Sequence, residues 1–174
     1  MKGPKKWNYL NEFKRGTDGS YVYTGDYYSL SDSLDYKKTN VIILLSVFFL
    51  AALVALSGSF NAAGLKNTFY VIIPFVGEVI CAFVLVWSSV RLAWAGERIR
   101  AYVIQTACPK IGSGSLALGV FGFISLAASV VFVFLNGFEN SVFRCVFFWV
   151  MKAVIITASF LFRRYYKKLE WVKV

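Results

Sequence analysis

The chain contains no histidine, and its three cysteines, Cys81, Cys108 and Cys145, lie far apart with no CxxC pair among them. An odd number of scattered thiols argues against a disulfide framework, and the lack of histidine removes the usual means of completing a zinc or haem site. Acidic residues are also scarce, nine against nineteen Lys and Arg, and charged residues of both signs make up only 16% of the sequence. No nucleophile stands beside a base, no glycine-rich loop is spaced to cradle a phosphate, and the polar segments are too short to fold as a catalytic domain. The expectation is a protein that is not an enzyme and holds neither cofactor nor metal.

What the chain has instead is apolar length. Of its 174 residues 58% are hydrophobic, and the mean hydropathy is +0.61, a composition that belongs to membranes rather than to water-soluble domains. Four stretches, at residues 41–60, 68–90, 115–135 and 141–162, reach the roughly 20 residues needed to cross a hydrocarbon core about 30 Å thick. Backbone groups facing lipid must be satisfied within their own segment, so these stretches are expected to be helices. The fold class that follows is all-α, an integral membrane bundle of four antiparallel helices within residues 40–162. An aromatic amino tail (1–39) precedes it, a connection (91–114) divides it, and a basic end (163–174) follows it. The charged start is not followed directly by a short apolar core, so no cleaved secretory signal is expected.

Cations are distributed very unevenly. Seven precede the first span (Lys2, Lys5, Lys6, Lys14, Arg15, Lys37 and Lys38), four lie in the middle connection (Arg91, Arg98, Arg100 and Lys110) and five follow the last span (Arg163, Arg164, Lys167, Lys168 and Lys173). An even number of crossings separates these groups, so they share one side; the other side has Lys66, with Arg144 just inside the fourth span. The positive-inside rule then puts both termini and the middle connection in the cytoplasm, with the plasma (inner) membrane as the expected location. The run Arg163, Arg164, Lys167 and Lys168, interrupted by two tyrosines, suits the anionic inner leaflet, and this explains the basic balance without nucleic acid.

The amino tail is rich in aromatics, including Trp7 and Tyr9. Tyr21, Tyr23, Tyr27 and Tyr28 form two β-prone runs around Gly25-Asp26, which suggests a hairpin. An isolated hairpin is marginal in water, so this one needs a surface. That surface is either the membrane face, with the rings at headgroup level, or a protein partner.

Small residues recur at helical spacing. Ser115, Gly119, Gly122, Ser125 and Ser129 line one face of the third span, and Ala51, Ala55, Gly58 and Ala62 one face of the first. Such faces allow close helix approach, within the chain or in self-association. Gly64-Leu65-Lys66-Asn67-Thr68 also echoes Gly137-Phe138-Glu139-Asn140-Ser141, with Asn67 and Asn140 placed to cap the following helices.

Three ionisable residues fall within the expected spans: Glu78, Arg144 and Lys152. Counted from the outer starts at 1.5 Å per residue, Glu78 and Lys152 both come about 15 Å deep, near the midplane. Arg144 is shallow enough to reach outward, towards Glu139 or the headgroups. An acid and an amine at one depth in lipid suggest a pair, and Pro74 and Gly77 beside the acid suggest a kink there. The arrangement resembles the small multidrug-resistance exporters in having four short helices and one embedded acid, but in those the acid is on the first helix, which here has none. Two roles therefore remain: an accessory or partner-binding membrane subunit, or a small oligomeric transporter or channel built around Glu78 and Lys152.

Overall fold

A computed structural model describes residues 12–15, 20–31, 35–60, 62, 64–65, 67–138 and 142–174. Trp7, Tyr9, Asn61, Lys66, Glu139, Asn140 and Ser141, with Lys2, Lys5 and Lys6, lie outside the described residues. Four helices make up the body: α1 (Tyr36–Ser59), α2 (Phe69–Trp94), α3 (Ala101–Asn136) and α4 (Val142–Tyr166). Each is long and apolar enough to cross a membrane, so the chain fits an integral membrane protein. Short strands gather at the end of the bundle where α1 starts and α4 finishes: β1 (Phe13–Arg15), β2 (Tyr21–Tyr23), β3 (Tyr27–Leu30), β4 (Ile99–Arg100) and β5 (Trp171–Lys173).

Each helix packs mainly on its neighbours in the chain, and α1 closes the ring by packing on α4. This puts α2 and α4, which run in the same direction, across a diagonal. The larger core cluster fills the bundle from Ile43, Val47 and Leu50 through Leu85, Ile111 and Ile155 to Tyr166. A smaller one, Val71, Phe132, Val133 and Cys145, closes the end with the short turns. Those turns use left-handed glycines, Gly64 at φ 78° and Gly137 at φ 74°, a conformation that only glycine adopts without strain.

Local signals differ from the observed elements in four places. The third helix begins at Ala101, not near 115, and runs through Pro109 and Gly112-Ser113-Gly114. Val103, Ala107 and Ile111 are buried in line with Ser115 and Leu118, so one continuous packed face outweighs the roughly 1 kcal/mol per glycine and 3 kcal/mol per proline that favour a break. Ser113 Oγ also donates to Pro109 O at 2.7 Å. Tyr21–Tyr23 and Tyr27–Leu30 are both strands, but they do not pair with each other: β2 pairs with β1, and β3 lies between β4 and β5. Satisfying both edges of β3 within the chain is better than the marginal isolated hairpin. Thr68, not Asn67, is the N-cap of α2, and its side chain makes no capping bond. The first helix packs through Ile43, Val47, Leu50, Leu53 and Val54, while Ala55 of its small face is exposed.

Gly77 is a packing glycine. A Cβ placed there would lie 2.7 Å from Cδ1 and 2.8 Å from Cε1 of Phe121 on α3, so α2 approaches the base of that ring. Around Gly112 there is open space. Gly77→Val should therefore cost about 1–3 kcal/mol by overpacking, whereas Gly112→Ala should be neutral or stabilise by up to about 1 kcal/mol. Thermal loss of the monodisperse peak in detergent compares the two, and equal shifts would refute the difference in packing.

Candidate functional site

Glu78 lies nine residues into α2 and Lys152 ten residues into α4, depths of about 14 and 15 Å at the helical rise. Both helices present these residues inward, since Val71, Pro74, Glu78, Ala82 and Leu85 form the buried stripe of α2, and Cys145, Phe148, Lys152, Ile155 and Ser159 that of α4. The two side chains meet across the diagonal. Lys152 Nζ donates to Glu78 Oε1 at 2.8 Å and to Oε2 at 2.6 Å, with neither side chain exposed.

Aromatic rings complete the surroundings of the ammonium. Lys152 Nζ lies 4.7 Å from the ring centroids of Phe75 and of Phe148, so two aromatic faces share the ammonium with the carboxylate. Ser125 on α3 stands beside Glu78, its buried hydroxyl closing no hydrogen bond. One turn towards the short loops, Trp149 Nε1 donates to Ser129 Oγ at 3.1 Å. On the other side of the pair, Gly122 and Gly119 approach Ile156 and Phe160 of α4 at 3.2 and 3.3 Å from their virtual Cβ positions. The small stripe Ser115, Gly119, Gly122, Ser125 and Ser129 is thus buried within the chain, and its two central glycines face α4. Helix α2 runs unbroken through Pro74, its sixth residue, and Gly77.

The other residues singled out in the sequence lie elsewhere. Arg144 is exposed near the start of α4. Tyr23 packs edge-on against Phe13, Tyr27 and Tyr102, with Arg100 over its ring at 5.4 Å. Its hydroxyl donates to Glu12 Oε2 at 2.7 Å; burial and then the Glu12 carboxylate push its pKa up to about 12. Tyr27 and Tyr28 are taken up in the sheet opposite Arg100 and Ile99, while Tyr21 is 73% exposed. Arg163 and Arg164 occupy the last turn of α4, followed by exposed Lys167 and Lys168. Sequence reasoning missed β5: Lys173 pairs with Asp26 at 2.9 Å, which raises the lysine's pKa. Alternation in Trp171-Val172-Lys173 was the available signal, hidden by its place after a basic run.

Glu78→Gln and Lys152→Met should each destabilise the protein by about 3–5 kcal/mol, because each leaves one buried charge alone. The double variant should recover most of that loss. Thermal stability in detergent reads all three, and additive losses would mean that the two residues act independently. Comparison with known proteins gives no match to any family model, curated protein or solved structure, so the role of this site rests on its geometry.

Proposed function

We propose that the chain is a non-enzymatic accessory subunit of the plasma membrane, with both termini in the cytoplasm, whose stranded end binds a protein partner. The supporting observation is the collar at that end. β3 pairs with β4 from the middle connection and with β5 from the carboxyl end, which joins the three most basic segments in one small folded unit. Beside it, Tyr21 and Val22 of the two-stranded β1–β2 sheet are 73% and 53% exposed. Among the described strands β2 pairs with β1 alone, and an aromatic edge strand of this kind is suited to pairing with a partner's strand. The rival transporter reading draws on the same two charges. It is opposed by their closed, fully buried pairing, since a coupling site needs access from both sides.

Orientation is tested with single cysteines. Those at Ser20, Glu97 and Val174 should be protected from an impermeant thiol reagent in intact cells, and one at Asn67 should react; labelling of any of the first three would reverse the topology. Partner binding is tested with a photoreactive residue at Tyr21 or, as control, at the buried Leu30. An adduct to another protein at Tyr21 alone is expected. An adduct only to a second copy would mean self-association, and no adduct at Tyr21 would remove the partner reading.

A further inference from the structure

We infer that the groove between α3 and the basic end of α4 is a binding site for one anionic phospholipid. Its cavity, about 400 Å³, is lined by Leu116, Phe160, Arg163, Arg164 and Lys167. The lining divides along the axis of α4. Phe160 and Leu116, 42% and 37% exposed, form an apolar floor, and the three cations follow at positions 3, 4 and 7 beyond Phe160, one face of the helix. Among the described residues no acidic side chain lines the groove. Two guanidiniums and an ammonium on one helix face suit a phosphodiester, whose oxygens accept charge-assisted hydrogen bonds from such donors.

The apolar floor decides between a lipid and a free anion. A soluble phosphate would use the cations and leave Phe160 and Leu116 uncovered, whereas a phospholipid covers both, with its headgroup at the cations and its first acyl carbons over the ring. Basic pockets between transmembrane helices at a headgroup level recognise lipids in this way. A second basic recess, lined by Arg91, Trp94, Arg100 and Tyr102, is a weaker candidate. Its guanidiniums already stand over rings, Arg91 over Tyr102 at 5.7 Å and Arg100 over Tyr23 at 5.4 Å. The site is independent of which compartment the basic end faces, so it stands or falls separately from the proposed orientation and partner.

The test uses the full chain purified in detergent, mixed with phosphatidylglycerol or with phosphatidylcholine of identical acyl chains, and read by native mass spectrometry. One phosphatidylglycerol should be retained over phosphatidylcholine by at least about tenfold, and the triple variant Arg163→Gln, Arg164→Gln, Lys167→Gln should lose about that factor. A control triple, Lys37→Gln, Lys38→Gln, Lys168→Gln, removes equal charge outside the groove and should change retention by less than about twofold. Leu116→Trp fills the floor while keeping every cation, and should also lower retention. Equal losses in the two triples would reduce the effect to diffuse charge and overturn the site. Inorganic phosphate displacing the lipid at equal concentration would make it a free-anion site instead. If the groove triple does not fold, Leu116→Trp carries the test alone, and unchanged retention in that variant overturns the proposal.

Discussion

A carboxylate and an ammonium that have no water to turn to set the terms for the rest of the bundle. Either charge alone in the hydrocarbon is expensive, so Glu78 and Lys152 hold α2 and α4 in one register; a slip of one turn, about 5.4 Å, would part them. Because these helices lie on a diagonal, the pair must cross the centre, and α3, which packs on both, must leave it room. It does so with small residues. Ser125 lies at the level of the carboxylate, Gly122 one turn away approaches α4, and Ser129 takes the indole N–H of Trp149. The small stripe of α3 and the charge pair are therefore one feature: the first is the space that the second requires.

At the opposite end of the chain's path, the collar does by hydrogen bonds what the pair does by charge. The α1–α2 and α3–α4 hairpins are each closed by a short turn at one end of the bundle, and at the other end only the α2–α3 connection joins them covalently. Strand β3 enters from before α1 and pairs with β4, next to that connection, and with β5, after α4. Backbone bonds from Ala101 N to Asp26 O at 2.9 Å and from Val174 N to Tyr27 O at 3.0 Å extend this clasp. Both hairpins are thereby tied to one strand. Tyr23 with its Glu12 and Arg100 contacts packs the first sheet onto the same place.

The spans, the charge pair and the small face were legible in the sequence because each depends on one short-range rule. Helical rise converts residue count into depth, and 3.6-residue periodicity converts spacing into a face. Strand partners were not legible, because β4 is two residues long and pairs with a strand about seventy positions away in sequence, a contact no local pattern announces. The same limit applies to Asn67, whose side chain suits a cap while the N-cap falls one residue later, at Thr68.

Pro109 shows the limit most clearly. A proline inside a helix frees the carbonyl four residues earlier, here that of Gln105, and in lipid this would be a serious cost. A 36-residue helix is about 54 Å long, well beyond a core of about 30 Å. Its first turns therefore project past the hydrocarbon, where Gln105, Pro109 and Lys110 are exposed and water can take up the freed carbonyl. The breaker is harmless because of where it falls, and its position became known only once Val103, Ala107 and Ile111 were seen to extend the packed face. The sequence supplied that spacing too, but the interruption by Pro109 and three small residues hid it, since a breaker is read locally and its solvent is set by the fold.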